Sequence, residues 1–343
     1  MRIFKYRGGD KNIFNRDLDS LASDTFWAPT RETLNDPSEG FLSIEDMGNQ
    51  LDGFINVLVP DISKIAQSRD NFNEALAHLL GQRDKVSVFS LSQSYRDELL
   101  WAHYAYSHQG FCIEYDLKKL VNSGADNWYA FPVEYVEQPP TLDILDLPTL
   151  HPKDGVKTFI KKMIGFKSTR WNYEKEMRII CHQSGSQRCD YRAIKAIYFG
   201  LRMPTQYQTT LMERLQGRGI KYHQMQLREN TYSLTTVEIE DKFANAPKYI
   251  PKLAPIENYA IDPEALNEKW KSFADYMPKV AEIARRLPYA KSVEMIEVSY
   301  DKSSETEPVF FAKVLRQDVH VQRSVYYTLS EIEKEYAAIS DRI

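Results

Sequence analysis

Cysteine is scarce in this chain: Cys112, Cys181 and Cys189 are the only three in 343 residues. An odd, scattered set makes no disulfide framework and leaves at least one thiol unpaired, which suits a reducing cytoplasm. Long apolar runs are missing as well. No stretch approaches the roughly 18 residues that cross a bilayer. The opening MRIFKYRGGDKN alternates charged with apolar residues where a secretory signal has an unbroken apolar core, so it reads as a first strand and no membrane partner is expected. Charge of one sign is not in excess: 44 Lys and Arg stand against 48 Asp and Glu, net −4, which gives no global field to hold a polyanion and leaves only a local patch for nucleic acid. The glycine signatures of phosphate binding, G-x-G-x-x-G and G-x-x-x-x-G-K-[ST], do not occur. The GFKST stretch at Gly165 lacks the upstream glycine and follows a helix where a P-loop follows a strand, so Rossmann and P-loop readings fall. Internal repeats and low-complexity tracts are lacking too.

What is present is the composition of a folded protein, 43% hydrophobic and 27% charged, and at about 150 residues per domain the length favours two. Strands are expected at residues 2–6, in TFWAP, at 86–92, in GFCIEYD, FPVEYVE, EMRIICH, AIKAIYFG, IKYHQMQL and YSLTTVEIE, where apolar residues alternate. Helices are expected around residues 17–23, 71–80, 95–108, 156–166 and 205–215. In the third, Ser94 and Asp97 form a capping box and Gly110 is the stop signal. Interspersed strands and helices make an α+β domain over residues 1–243. Pro247, Pro251, Pro255 and Pro263 then mark a Pro-rich linker at 244–262. A small α+β accessory domain at 263–343 follows, with helices at about 263–276 and 279–286, strands at 293–300 and 309–315, and a final helix from Ser330. Trp270, Phe273 and Tyr276 sit at helical spacing there and read as core.

WNYEKEMRII carries the most chemistry. If a strand runs through it, period two puts Glu174, Glu176 and Arg178 on one face, the carboxylates about 7 Å apart, where they must share a cation or shift a pKa. Such a pair suits acid/base work or stabilisation of a sugar cation. The alternative is a solvated face of alternating charge. Trp171 and Tyr173 are planar residues that wall a cleft or fill a core. His103 and His108, five residues apart, point about 140° from each other on a helix, which argues against a shared metal. Arg7 ends the first strand before Gly8 and Gly9 and reads either as a phosphate ligand or as a surface arginine. Asp36 and Glu39 in NDPSEG are turn residues first and ligand candidates second. Cys112, inside an alternating strand, reads as core.

The ordered blocks FKYR, FWAPTRETLNDPSEG, FSLSQSYRDELLWAHYAYSHQGFCIEYD and KSTRWNYEKEMRII resemble a bacterial domain-of-unknown-function family, number twenty-nine seventy-one, over about residues 1–240. A weaker resemblance is to ADP-ribosyltransferases, which use Arg, then Ser-x-Ser, then Glu-x-Glu on a split mixed sheet with flanking helices. Arg7, Ser90 with Ser92, and Glu174 with Glu176 stand in that order, with Leu91 where Thr is commoner. The resemblance implies an ADP-ribosyltransferase-like α+β fold. It also implies NAD as the consumed cofactor, with Arg7 on its phosphates, Ser90 bracing the site, Glu176 on the ribose and Glu174 orienting the acceptor. Ser92, Tyr104, His108, Trp171 and Arg178 complete the expected NAD contacts, with no metal.

Three functions compete. The first is an NAD-consuming ADP-ribosyltransferase, a toxin or defence effector, acting on a macromolecular acceptor, protein or nucleic acid. The second is a metal-dependent nuclease or phosphodiesterase built on Asp36, Glu39, Glu174, Glu176 and Lys167. The third is a binding module presenting Trp101, Tyr104 and Tyr106.

Overall fold

The computed structural model describes residues 1–43, 49–50, 70–71, 73–74, 76–78, 80–81, 86–124, 128–143, 146, 155–181, 183–317 and 321–340. Phe72, Ala75 and Leu79 of the expected 71–80 helix lie outside the described residues.

Fifteen strands are described: β1 (Arg2–Arg7), β2 (Thr25–Ala28), β3 (Ser87–Ser92), β4 (Phe111–Asp116), β5 (Tyr129–Pro132), β6 (Glu134–Val136), β7 (Phe166–Ser168), β8 (Glu176–Cys181), β9 (Gly185–Arg188), β10 (Ile194–Phe199), β11 (Lys221–Leu227), β12 (Leu234–Ile239), β13 (Ala290–Val298), β14 (Val309–Arg316) and β15 (Gln322–Thr328). The helices used below are α1 (Lys11–Ala22), α2 (Glu98–Tyr104), α3 (Leu117–Asn122), α4 (Gly155–Ile164), α5 (Thr205–Arg214), α6 (Tyr276–Ala284) and α7 (Leu329–Ala337).

Eight strands form one mixed sheet in the order β12-β11-β10-β4-β1-β3-β8-β5, antiparallel except for β10 with β11. Its first face is mainly apolar, interrupted by Lys5 and Arg7 of β1. Ile3, Phe89, Ile113, Ile179 and Ile197 pack there against Phe14, Leu18 and Leu21 of α1, Leu120 of α3 and Leu211 of α5. The second face carries two separate apolar clusters. Phe4, Tyr6, Cys112, Tyr198 and Met225 meet Leu100 and Trp101 of α2 on one side. Val88, Phe131 and Ile180 meet Phe159, Met163 and Ile164 of α4 on the other. Between these clusters the paired residues turn polar: in β3 and β8, Val88 opposite Ile180 gives way to Ser90 opposite Arg178 and Ser92 opposite Glu176.

β1 and β3 pair only at Phe4 and Ser92. Beyond that point side chains replace the ladder, with Lys5 Nζ donating to the Ser90 carbonyl at 2.7 Å and the Tyr6 hydroxyl to the Ser94 carbonyl at 2.9 Å. A mixed sheet with helices on both faces follows from the alternation of its strands, and the α+β class expected from sequence is the observed one.

Several elements differ from expectation. α1 starts at Lys11 because the Asp10 carboxylate accepts from the amides of Asn12 and Ile13. α2 is capped by Asp97, not Ser94, and spans only Glu98–Tyr104, because Tyr106, Ser107 and His108 take left-handed φ angles of 50°, 52° and 67°. FPVEYVE is two strands, broken at Val133, whose amide donates to the Glu176 carbonyl at 3.0 Å. β7 pairs with β6 in parallel, and β9 pairs with β2.

Residues 254–339 supply a second core, formed by the three-stranded sheet β13-β14-β15 with α6 and α7. Trp270 is buried in it, and Phe273 and Tyr276 pack against it. The expected 263–276 helix is instead two 3-10 turns, Pro263–Ala265 and Glu268–Phe273, because Asp262 and Asn267 each cap the amides that follow them. The third strand, β15, was not expected; Arg323 shares the parity of the packed Val325 and Tyr327 while Tyr326 is exposed, which blurs the period. The proline-rich stretch is tied down locally by Tyr249, which donates its amide to the Gly217 carbonyl at 3.0 Å and its hydroxyl to Asp24 at 2.7 Å.

Candidate functional site

Where β1 and β3 part, a cleft of about 310 Å³ opens, lined by Lys5, Arg7 and Gly8 of the first strand and turn, Ser90 and Ser92, Tyr104, Lys167, Glu174 and Glu176, with Arg16 and Asp17 of α1 at its edge. Its volume is at the lower end of the range for small-molecule sites.

Two glycines hold the wall. A Cβ on Gly8 would stand 2.7 Å from the Ala105 carbonyl carbon, and one on Gly110 would stand 2.1 Å from the Arg7 carbonyl oxygen. Only glycine lets the left-handed turn after α2 press against the end of β1 and fix Arg7 at the rim. The Arg7 guanidinium makes no hydrogen bond or ion pair with the described residues and is only half-buried, so its donors face the cleft unspent.

The floor is a buried charge network. Glu176 accepts from Arg178 Nε at 2.9 Å and Nη2 at 3.2 Å, and lies 2.8 Å from Lys167 Nζ. Glu39 takes the rest of the guanidinium, accepting from Nη1 at 2.5 Å and Nη2 at 2.8 Å. Glu174 accepts from Tyr104 Oη at 2.5 Å and from Lys167 Nζ at 2.7 Å. Three carboxylates thus share two cations. Burial works to raise the pKa of Glu176, but the Arg178 guanidinium and the Lys167 ammonium outweigh it and hold it at about 2. Lys167 moves upward: burial opposes its charge, and Glu176 and Glu174 outweigh that.

Glu174 is not on the strand expected from sequence. It ends the 3-10 turn Thr169–Glu174, Lys175 is left-handed at φ 43°, and β8 begins at Glu176. The two carboxylates meet nevertheless, because Lys167 binds both. Ser90 was expected to brace the site, but it is the Ser92 hydroxyl that ties β3 to the Glu174 turn, donating to the Glu174 carbonyl at 2.7 Å and accepting from the Ser94 amide at 3.1 Å.

Of the residues singled out from sequence, Arg7, Ser90, Ser92, Tyr104, Glu174 and Glu176 line the cleft, and Arg178, Trp171 and His108 do not. Arg178 is fully buried behind Glu176 and holds its carboxylate. Trp171 lies 5.3 Å beneath the Lys167 ammonium, a cation–π contact that reaches the cleft only through that lysine. His108 sits in the left-handed turn, stacked 6.3 Å from Trp101 with its buried Nδ1 unpartnered. Asp36 binds the amide and hydroxyl of Ser38, a turn role. His103 lies 6.4 Å from Tyr173.

Sequence reasoning missed Lys5. Its signal was available: with Ile3 fully buried, Lys5 shares the core-facing side of β1. Burial first, and then the Arg7 charge, pull its pKa down to about 7.

A family model described as a protein of unknown function (DUF2971) matches residues 100–179, the span from α2 into β8 that carries Tyr104, Lys167, Glu174, Glu176 and Arg178. The resemblance expected over residues 1–240 is shown over this span alone, short of the FKYR, NDPSEG and FSLS blocks. No curated protein and no solved structure matches the chain. No helix among the described residues is long and apolar enough to cross a membrane.

Proposed function

We propose that the cleft transfers the ADP-ribosyl group of NAD to a macromolecular acceptor, on an ADP-ribosyltransferase-like arrangement of the split sheet. One observation carries the reading: Arg7, the Ser90–Ser92 strand and Glu176, far apart in sequence, line one cleft whose buried carboxylate is held permanently anionic.

A carboxylate with a pKa near 2 is a poor proton shuttle at neutral pH, since Brønsted behaviour favours groups that titrate near the working pH. It is a good fixed negative charge. When nicotinamide leaves, positive charge develops on the ribose, and a preorganised carboxylate stabilises it without reorganisation. Arg7, with its donors unspent, holds the pyrophosphate, and the cleft encloses the nicotinamide–ribose half while the remainder runs along the rim. Lys167 and Tyr104 set Glu174 beside the reacting carbon, where it orients the incoming acceptor.

The metal-dependent alternative has less support. Lys167 and Arg178 already pair with Glu39, Glu174 and Glu176, Asp36 binds Ser38, and among the described residues no group of three His, Cys, Asp or Glu is arranged to hold a metal ion. The test is transfer of label from adenine-labelled NAD to macromolecules in a cell lysate. Wild type should label protein or nucleic acid. Arg7→Gln should raise KM more than it lowers kcat. No label on any macromolecule would sink the transferase reading.

A further inference from the structure

We propose that Lys5 is a covalent attachment site for phosphorylated aldehydes, open-chain aldose phosphates included, with Arg7 seating the phosphate. The amine lies at the opening of the sheet. Among the described residues its one hydrogen bond goes to the Ser90 carbonyl at 2.7 Å, and no carboxylate lies within ion-pair distance. The Phe89 ring sits 5.1 Å from Nζ. Lys271 and Lys279, by contrast, sit against acids, Lys271 contacting Glu268 at 2.8 Å and Lys279 contacting Glu333 at 2.7 Å.

The groups around Lys5 are Arg7 on its own strand, Asp17 from α1, Glu174 and Glu176 from the β8 side, Phe89 and Ser90 from β3, and Ile113 opposite it on β4. Burial and Arg7 disfavour the ammonium, and the three carboxylates only partly restore it, so the pKa falls to about 7. About half the side chain is then free amine at neutral pH, against less than about one part in a thousand for an ordinary lysine.

The chemistry needs no further reagent. The Nζ lone pair forms a C–N bond to the carbonyl carbon, and both amine hydrogens leave with the carbonyl oxygen as water, giving an imine. The neighbouring Arg7 guanidinium, two residues along the same strand face, supplies donors for a phosphate on the same molecule.

The experiment uses the full chain, pyridoxal 5′-phosphate and pyridoxal as probes, borohydride to reduce any imine, and peptide mass spectrometry to find the label. At pH 7 the Lys5 peptide should be labelled at least about tenfold faster than any other lysine, a margin set well inside its advantage in free amine. Its labelling should level off above pH 7 while that of exposed lysines keeps rising. Inorganic phosphate should compete. In Arg7→Gln, the rate advantage of the phosphorylated probe over pyridoxal at Lys5 should be lost, and labelling by both probes should slow because the neighbouring charge no longer disfavours the ammonium. Label spread evenly over the lysines, Lys5 unlabelled, or no advantage from the phosphate would each overturn the proposal. None of these readings requires NAD: a failure at Lys5 leaves the glycosyl-transfer reading where it stands, a failure of the phosphate advantage withdraws only the Arg7 role from it, and label transfer from NAD decides that reading separately.

Discussion

At the residue scale the molecule depends on Arg178, a guanidinium with no exposed surface that holds Glu39 and Glu176. Removing one member of a buried ion pair leaves its partners charged in a dry interior, which costs about 3–5 kcal/mol. Arg178→Met should therefore lower stability by about that amount in urea unfolding, while Arg16→Met, whose side chain is largely exposed, should change it by less than about 1 kcal/mol. Glu176 adds an acid limb. Its folded pKa is below the unfolded value, so its stabilisation is fully present above about pH 4.5 and is lost as pH falls towards 2. Lys5 works at the other end. Its folded pKa of about 7 is below the unfolded 10.5, so the unfolded chain binds the extra proton and stability rises with pH between those values. A series of urea midpoints from pH 7 to 10 should show that rise in wild type and a flatter profile in Lys5→Met; identical slopes would contradict a desolvated amine whose charge is only partly compensated.

At the element scale the turn after α2 sets the cleft. Three successive left-handed residues and the close approach of Gly110 to Arg7 leave no room for a side chain. Gly110→Ala should cost about 1–3 kcal/mol, as overpacking does, and should weaken NAD binding because the atom it displaces is the Arg7 carbonyl. The strands that build the site were legible in sequence, since VSVFSLS, GFCIEYD and EMRIICH are short runs rich in β-branched and aromatic residues, and all three lie buried on both faces. The short α2 was not, because Asp97 outcompeted Ser94 as cap and nothing local announces left-handed geometry at Tyr106, Ser107 and His108. Glu174 and Glu176 were found as a pair for an imperfect reason. Strand periodicity was expected to align them, whereas Lys167, brought from β7, joins them across a left-handed Lys175. The Glu39–Arg178 contact, 139 positions apart in sequence, had no local signal at all.

At the scale of the whole molecule, the three apolar clusters joined through the large sheet share no residue with the core of residues 254–339. Arg192, which bridges to Glu335 at 3.3 Å, is a peripheral polar link between them. Two transitions are expected in calorimetry, because cooperativity follows contiguous apolar packing. Trp270 reports the second core and Trp128 the first, so Trp270→Phe should remove the fluorescence change of one transition only; a single coincident transition by both probes would contradict separate cores.

The proposed role of Glu176 as a fixed negative charge that assists NAD cleavage is tested most directly by nicotinamide release from NAD by wild type and by folded Glu176→Gln between pH 5 and 8. Wild type should release nicotinamide at a rate with no inflection from Glu176 in that window, and the substitution should cut kcat by about a hundredfold or more with KM little changed. No release by wild type, or equal release by both proteins, would contradict it.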